Sequence, residues 1–426
     1  MVNHSGLRGM LIGLVMVGAF LAGCDIPEPG TQPTHVVRDS ADVQLVTSRG
    51  PIWDESTAWR IDSLPSLTLG GMDSDIGHLI WQVRDGTVLD DGRLALLAGG
   101  SDSPRLLLIN REGQVDRAMG GAGRGPGEFV DPVHLQLLPE GSIEVWERNF
   151  GRITTFDTTG AVTHTRHIDL GRIEEALGPG HRGDVVVPLT DGSFVARARA
   201  GEVPLQELTP GEAFRRPIVY IRIHPDYSAD TLGRYGGEEQ VAIMGPDERM
   251  TSMFPLMFRY TSVKAGGEPP AVYVSHGDER GVDVYDGQGQ LRRVVRRDAT
   301  PLPMTSEDWK ALFDIQFTGN RLPEDRRPAL EAYYRENLPA QTEFPVMTAI
   351  RVDGSGYLWV LDRRIGSDAL WSVFDEEGRW LGRIEVPLRT ILDIGHDYVL
   401  GVHVDAMMVE SVRMLNLSRT SSAGGR

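Results

Sequence analysis

A repeating unit of short strands and tight turns is the feature that most constrains how this chain can fold. In each copy, a turn with Gly leads into a short apolar strand, a polar loop and a second strand, and the unit closes on an acidic or Asn turn. The clearest copies are residues 139–162 (PEGSIEVWERNFGRITTFDTTGAV) and residues 353–381 (DGSGYLWVLDRRIGSDALWSVFDEEGRWL). Alternation of apolar and polar residues with a period of two predicts β-strands in both copies.

Further copies of the unit begin near residues 90, 190, 271 and 397, which gives six units in all. A unit of two to four strands cannot bury its faces alone, and repeats of about 40 residues with this content are typical of β-propellers. The glycine count of 50 in 426 residues fits a chain with many tight turns. We therefore expect an all-β fold, a six-bladed β-propeller that spans residues 57–419.

The two ends of the repeat region predict how the ring closes. The last unit, residues 397–419, lacks an outer strand, whereas residues 57–71 (TAWRIDSLPSLTLGG) end like the outer strand of the first unit, VDRAMGG. Strands from both termini would then share one blade and leave no open sheet edge. We predict that residues 57–71 complete the sixth blade.

Residues 120–168 resemble a known family. They contain the loop GPGEF (125–129), a Pro three residues later, a Glu-Gly turn and the run RITTFDTTG (152–160). This pattern resembles the NHL repeat, and the whole chain looks like the six-bladed NHL-type propellers found as bacterial lipoproteins. The resemblance implies the fold. It implies no single function, because NHL propellers include binding scaffolds and a few enzymes.

The same residues depart from the NHL repeat at His134, where the family usually has Gly, and at Glu147, where Asp is common. His134 begins a predicted inner strand, and some NHL-type lyases bind zinc through His residues near such positions. Such a site needs three channel histidines, and the registers of the other histidines do not clearly match that of His134. The histidines considered as partners are His78, His276, His396 and His403. Because His134 is one candidate ligand, a metal-assisted lyase or hydrolase at the channel mouth is the alternative function. Because the other histidines do not clearly match its register, we predict no cofactor.

The long connections fall on one side of the predicted disc. The turns within hairpins on the other side are short, whereas long segments occupy residues 201–216, 236–253 and 300–344. In the last segment, SEDWKALFDIQF with Ser306 as N-cap and EDRRPALEAYYREN predict two short amphipathic helices, within an insertion at about 304–340. Loops on a rigid scaffold often carry function, so we expect this face to bind the ligand.

Mixed charges are concentrated in the loops of this face. Arg side chains suit carboxylates and phosphates, so these loops could bind an anionic or zwitterionic ligand; the alternative is a solvated, salt-bridged rim. No catalytic residue is assigned, because the chain has neither a G-x-S-x-G elbow nor an H-E-x-x-H motif. The candidate ligand-face residues are Arg124, Glu128, His134, Glu147, Arg148, Asn149, His276, Asp278, Arg280, Asp362, Arg363 and Arg364. A binding protein could also use aromatic residues of the helical insertion, namely Trp309, Phe313, Phe317, Tyr333 and Tyr334.

The charge balance excludes nucleic acid as an expected partner. The chain has 43 Lys and Arg against 60 Asp and Glu, a net charge of −17, and such a field repels polyanions. Only Lys264 and Lys310 are lysines, a bias that we interpret as genomic composition.

The N-terminus predicts export and lipidation. Arg8 precedes the apolar run MLIGLVMVGAFL, which at 1.5 Å per residue spans roughly 18 Å, too short to cross a hydrocarbon core of about 30 Å. The run has the length of a signal-peptide core. The following Leu-Ala-Gly-Cys24 looks like a bacterial lipobox, which implies cleavage before Cys24 and a lipid on this cysteine, the single one in the chain.

The expected organisation follows from these segments. Residues 1–23 form a lipoprotein signal peptide, 24–56 a lipidated Cys and flexible tether, 57–419 the propeller, and 420–426 a disordered tail. The predicted function is that of a lipid-anchored propeller in the bacterial cell envelope, on the periplasmic or cell-surface side of a membrane. It would bind a protein, peptide or glycan on its insertion-rich face, and a binding role is favoured over catalysis.

Overall fold

The fold was analysed in a computed structural model. The structure describes residues 34–72, 74–100, 103–148, 151–177, 184–245, 247–278, 280–318 and 323–420. None of the helices in this described part is long and apolar enough to span a membrane.

The first half of the chain contains four N-terminal strands and three blades. The N-terminal strands are β1 (His35–Ser40), β2 (Val43–Ser48), β3 (Arg60–Ile61) and β4 (Leu67–Gly70). Blade 1 consists of β5 (Asp85–Val88), β6 (Leu94–Ala98), β7 (Arg105–Ile109) and β8 (Val115–Gly120). Blade 2 consists of β9 (Pro132–Leu137), β10 (Ile143–Glu147), β11 (Arg152–Phe156) and β12 (Val162–His167). Blade 3 consists of β13 (Asp184–Pro188), β14 (Phe194–Arg199), β15 (Ala213–Ile223), β16 (Ala229–Met244) and β17 (Met250–Met253).

The second half contains the other three blades. Blade 4 consists of β18 (Val263–Gly266), β19 (Ala271–Ser275), β20 (Val282–Tyr285) and β21 (Leu291–Arg297). Blade 5 consists of β22 (Ile350–Val352), β23 (Leu358–Ile365), β24 (Asp368–Phe374) and β25 (Trp380–Val386). Blade 6 begins with β26 (Thr390–Ile394), β27 (Tyr398–Val404) and β28 (Glu410–Ser418). The helices are α1 (Leu170–Leu177), α2 (Ser306–Thr318) and α3 (Arg327–Asn337), and short 3-10 turns lie at Leu205–Glu207 and Glu324–Arg326.

The strands of the described residues form six sheets, in which consecutive strands of each blade are antiparallel neighbours. The main buried clusters lie between the sheets, and each draws its side chains from two successive blades. Trp146 of blade 2, for example, packs on Phe194 of blade 3 with ring centroids 5.9 Å apart. The cluster around Leu96 and Leu400 joins blade 1 to blade 6. A closed sequence of such contacts defines a ring, so the predicted six-bladed β-propeller is confirmed.

Blade 6 obtains its outer strand from the N-terminal segment. Strand β4 pairs antiparallel with β28, with Leu69 opposite Val412, and β3 pairs with the end of the same strand. The predicted closure of the ring by residues 57–71 is therefore seen in the structure, and it covers the edge of β28 with backbone hydrogen bonds.

The predicted flexible tether is wrong for the described part of residues 24–56. Strands β1 and β2 form a hairpin through a two-residue turn, in which Ala41 and Asp42 have φ of 49° and 65°. Strand β2 also pairs in parallel with β21 and extends blade 4 to six strands. Val46 and Ser48 are buried, and Ser48 Oγ accepts the N–H of Trp380 in blade 5 at 2.9 Å. The alternation in β2 is too short to predict a strand by itself, and the edge of β21 supplies its hydrogen-bond partners.

The chain then follows the outer edge of the ring. The N–H groups of Ile52 and Trp53 donate to the carbonyl oxygens of Trp380 and Leu381, at 3.1 and 2.7 Å, along the outer strand of blade 5. Residues 34–70 therefore contact the outer strands of blades 4, 5 and 6 in turn, and we name them the N-terminal belt.

The insertions partly differ from the prediction. Residues 236–253, expected as a connecting segment, belong mostly to β16 and β17, and the long pairing of β15 with β16 extends blade 3. The two helices between blades 4 and 5 are confirmed. The N-cap of α2, however, is Thr305 rather than Ser306. Thr305 Oγ1 accepts the N–H of Asp308 at 3.1 Å, and the Asp308 carboxylate accepts the N–H of Thr305 at 2.8 Å, which forms a capping box.

The packing of the N-terminal belt can be tested at Trp59. This side chain is 7% exposed, lies 5.2 Å from the Trp53 ring and carries the Arg419 guanidinium over its face at 4.4 Å. Trp59→Ala should lower the free energy of unfolding by about 3–5 kcal/mol, because a large buried ring is lost. Denaturant unfolding measures this change. Leu64, which is 78% exposed in the same segment, is the control, and Leu64→Ala should change the free energy by less than about 0.5 kcal/mol. Equal effects of the two substitutions would contradict the packing role of the belt.

Candidate functional site

The Glu147 carboxylate is buried and holds the loop between blades 1 and 2. It accepts the N–H of Val130 at 2.6 Å and forms an ion pair with Arg152. Arg152 also donates to the carbonyl oxygens of Arg124 at 2.9 Å and Glu128 at 2.6 Å. The pair therefore stabilises the glycine-rich GPGEF loop. The assignment of Glu147 to the ligand face is wrong, because its oxygens are already committed inside the fold.

Asp362 also has a structural position. Its side chain is 1% exposed. The carboxylate accepts hydrogen bonds from both terminal nitrogens of Arg297, at 2.8 and 2.9 Å. It also accepts hydrogen bonds from Arg383 Nε at 2.8 Å and from Ser372 Oγ at 2.9 Å. A buried carboxylate with this many charged donors joins blade 4 to blade 5. The prediction placed Asp362 in a loop. It lies instead within β23, at an irregularity of the strand pairing between Leu361 and Arg363.

The candidates of blade 4 lie at the rim. His276 Nε2 is 3.0 Å from the Asp283 carboxylate, and its ring packs on Tyr235 with centroids 5.0 Å apart. Asp278 and Arg280 form an ion pair at 2.8 Å. These two residues line a groove of about 550 Å³ between the connections that flank blade 4. Of the blade 4 candidates, Asp278 and Arg280 thus lie on a concave surface, and their role in binding stays a prediction.

The remaining candidates on the insertion face are dispersed among different roles. The side chains of Arg124, Glu128 and Arg148 are exposed on blade 2, and Asn149 lies outside the described residues. Arg363 pairs with Asp368 at 3.2 Å. Arg364 donates a hydrogen bond to the carbonyl oxygen of Arg389 at 3.1 Å.

The aromatic residues of the helical insertion pack mainly on one another. The rings of Trp309 and Phe313 stack at 5.4 Å, and those of Phe317 and Tyr334 lie 4.7 and 5.9 Å from Phe313. Phe313 is fully buried. This cluster therefore stabilises the insertion.

The inner strands of all six blades line a cavity of about 350 Å³. Its wall begins at Arg84, which directly precedes β5, and reaches the short turns at Thr190 and Pro270. The cavity therefore extends toward the face opposite the insertions, whereas the sequence placed the binding function on the insertion face.

The wall of the cavity has two chemically different parts. The part toward the short turns is mostly apolar and includes Leu135, Leu137, Val187, Val352 and Leu392. The other part carries charges, and we name it the charged layer: Arg84, Asp85, His134, Lys264 and Arg351. His134 is the one ligand-face candidate that lines this cavity.

The carboxylate of the charged layer already has partners. Asp85 accepts the N–H of Leu135 at 2.9 Å and lies 3.8 Å from His134 Nδ1. Burial would raise the pKa of Asp85, but the hydrogen bond and charge of His134, the Leu135 N–H and the charge of Lys264 together hold the pKa below its ordinary value. Asp85 is therefore an anion with its own donors.

Lys264 and Arg351 are not neutralised in the same way. Arg84 pairs with Asp131 at 2.7 Å, but among the described residues no carboxylate lies within ion-pair distance of Lys264 or Arg351. The Arg351 guanidinium donates to the carbonyl oxygens of Ile350 and Ile391 at 2.9 and 2.8 Å. Backbone carbonyls therefore satisfy part of the guanidinium without neutralising its charge, and the residue lines the channel cavity.

The electrostatic effect is largest on Lys264. The charge of Arg351 and burial lower the pKa of the Lys264 amine to about 8, with Asp85 acting in the opposite direction. Burial also lowers the pKa of Arg351; the charges of Asp85 and Tyr260 act in the opposite direction, and the charge of Arg364 lowers the pKa further. Burial and the charge of Arg389 lower the pKa of Arg364. We name Lys264, Arg351, Arg364 and Arg389 the cation run, because each repels the next.

A cluster of this kind has a clear chemical preference. Like charges brought together in a partly buried region raise the energy of the empty site, and an anion lowers it again. The guanidinium plane of Arg351 suits a carboxylate or phosphate, and the Lys264 ammonium adds a point charge. The site is therefore complementary to a small anion or to an acidic end group.

No sequence motif marks Lys264 or Arg351 as site residues. Their position in the channel depends on the exact register of β18 and β22. The one available signal was the rarity of lysine, since one of the two lysines stands in an inner strand. That rarity, by itself, is equally explained by genomic composition.

The alternative metal site lacks a set of ligands. His134 has Asp85 beside it, and within the described ranges no three His, Cys, Asp or Glu side chains are arranged to hold a metal ion. His276 is engaged with Asp283 in blade 4.

Comparisons with known proteins place the chain among structures of low identity. No protein-family model and no curated protein matches the sequence. A putative exported protein from Bacteroides fragilis is similar at 12% identity over 88% of this chain and all of that one, with a TM-score of 0.45. Virginiamycin B lyase from Staphylococcus aureus is similar at 11% identity over 85% of this chain and 99% of that one, with a TM-score of 0.35. A gluconolactonase from Xanthomonas campestris is similar at 13% identity over 84% of this chain and all of that one, with a TM-score of 0.37. The assignment as a propeller rests on the six sheets described above.

The lowered pKa of Lys264 can be measured directly, because the chain has two lysines. In protein with ¹³C at the lysine Cε positions, the Lys264 signal should titrate with a midpoint near pH 8, since Arg351 and burial disfavour its charged form. Lys310 is the internal control, because its hydrogen bond to Asp314 at 2.6 Å raises its pKa. Lys310→Arg assigns the two signals. Two lysines that titrate together near the ordinary pKa would contradict the charged layer.

Proposed function

We propose that this chain is a lipid-anchored binding protein of the bacterial cell envelope, and that its propeller binds an anionic ligand in the charged layer of the channel. One observation carries the proposal: Lys264 and Arg351 line the cavity with no carboxylate of the described residues within ion-pair distance, in a chain with a net charge of −17. Cations that serve only structure in this fold, such as Arg152 and Arg297, have buried carboxylates beside them.

The size and lining of the cavity define the class of ligand. A volume of about 350 Å³ is at the lower end of the range for small-molecule sites. Apolar side chains beside the charged layer suit a ligand that has an acidic group and a short hydrocarbon part. A small organic acid fits this description, as does the acidic end group of a peptide or glycan.

The insertion face offers a second candidate surface for a protein, peptide or glycan. A groove of about 590 Å³ lies between α2 and the loops of blades 6 and 1, and a neighbouring one of about 300 Å³ shares Ile315, Arg389 and Met408 with it. Arg389 is also the last member of the cation run. This arrangement supports binding of an acidic segment of a larger partner on the face that the sequence favoured.

The anion site can be tested by titrating the protein with phosphate and with pyruvate in a calorimeter. Arg351→Gln should weaken binding of both by about 10- to 100-fold, because a charged hydrogen-bond donor to the anion is lost. Arg249→Gln is the control, since it removes an equal charge from a side chain that is 86% exposed. The affinity for phosphate should also fall as the pH rises through about 8, because Lys264 loses its proton there. Binding that responds equally to both substitutions would overturn the proposal.

Lipid attachment at Cys24 is tested separately. In a bacterial host that receives an alkyne-tagged fatty acid, the full chain should incorporate the tag and fractionate with membranes, because the lipobox-like sequence directs lipid to this cysteine. Cys24→Ser should abolish incorporation. Incorporation of the tag by the Cys24→Ser variant would contradict lipidation at this position and would leave the anion site untouched.

A further inference from the structure

We infer that the Lys264 amine forms an imine with the carbonyl group of an anionic ligand, so that the channel captures 2-oxo acids covalently and reversibly. This inference rests on the proposed anion site and adds a chemical reaction to it. It concerns a residue that the sequence assigned to no role.

The position of Lys264 carries the inference. It is the one lysine on the wall of the channel cavity, where its side chain is half-buried. The other lysine, Lys310, lies on α2 and is held by Asp314 at 2.6 Å and Glu331 at 3.4 Å. Lys264 therefore lines a cavity, and its nearest acidic influence is the charge of Asp85, which among the described residues lies beyond ion-pair distance.

The neighbours of Lys264 favour the reactive form of the amine. Only a neutral amine attacks a carbonyl carbon, and nearby positive charge together with burial favours that form. Arg351 supplies this charge from the next blade. The same guanidinium is a partner for the carboxylate of a 2-oxo acid, whose carbonyl carbon is bonded directly to that carboxylate. Arg351 thus both favours the neutral Lys264 amine and attracts the carboxylate of the acid.

The reaction balances without an oxidant or a reductant. The amine nitrogen adds to the carbonyl carbon, the π electrons move to the oxygen, and a proton passes from nitrogen to oxygen to give a carbinolamine. Loss of hydroxide, protonated to water, then forms the C=N bond. His134 and Asp85, 3.8 Å apart, are the acid–base groups of the charged layer available to carry these protons. The net change is one amine and one carbonyl converted into one imine and one water.

Reductive trapping with pyruvate tests the inference on the whole protein. Cyanoborohydride delivers hydride to the imine carbon and leaves a carboxyethyl group on the nitrogen, which peptide mass spectrometry locates. We expect modification of Lys264 about tenfold above that of Lys310. Lys264→Arg keeps the charge and should lose the modification, while its unperturbed thermal unfolding shows that the fold is intact. Equal modification of both lysines would overturn the inference.

Acetone, a neutral ketone of similar size, separates this inference from the proposed function. Preferential modification of Lys264 by pyruvate over acetone, lost in Arg351→Gln, supports both. Equal modification of Lys264 by the two ketones means that the amine is reactive but the anion site is wrong, which overturns the capture of acids. Binding of pyruvate in the calorimeter without any trapped product at Lys264 overturns the imine and leaves the anion site standing.

Discussion

The pairing of β4 with β28 is the contact on which the rest of the structure depends. By adding an N-terminal strand to the last blade, it closes the ring. Once the ring is closed, each blade packs on two neighbours, and the six inner strands converge on one channel. Side chains far apart in sequence then meet there, including Lys264 from blade 4 and Arg351 from blade 5. The N-terminal belt strengthens this closure by following the outer strands of blades 4, 5 and 6 before it reaches β4.

Charged residues between the blades and charged residues in the channel differ in how they are paired. Between blades, buried carboxylates such as Glu147 and Asp362 collect several donors, and these networks hold loops and neighbouring sheets together. Breaking such a network leaves an unpaired buried charge, so its members are not free for a ligand. In the channel, Lys264 and Arg351 repel each other, and among the described residues no carboxylate lies within ion-pair distance of either, although the charge of Asp85 acts on both. That contrast points to the channel as the site of binding.

Patterns that span a whole unit could be predicted from the sequence, and pairings between units could not. The period-2 strands, the strand exchange at the ring closure and the helices α2 and α3 all follow from local runs of residues. The belt was missed because Val43–Ser48 is too short to predict a strand without the edge of β21. Asp362 was placed in a loop because a single irregularity in β23 decides whether it faces a ligand or Arg297. Lys264 and Arg351 lie in different repeats, and only the closed ring brings them together.

The central claim is that the charge of Lys264 serves a ligand at some cost to the folded state. The most direct test is the free energy of unfolding of Lys264→Met compared with the unchanged protein, at about pH 7 and again at about pH 9.5. The pKa of Lys264 is lower in the folded chain than in the unfolded one, so its charged form opposes folding at neutral pH, and stability rises as the pH passes through about 8. The account predicts that the Met variant is more stable at neutral pH, on the order of 1 kcal/mol, and that the difference shrinks at high pH. A Met variant that is less stable by the same amount at both pH values would show that the amine has a structural role, and would contradict the account.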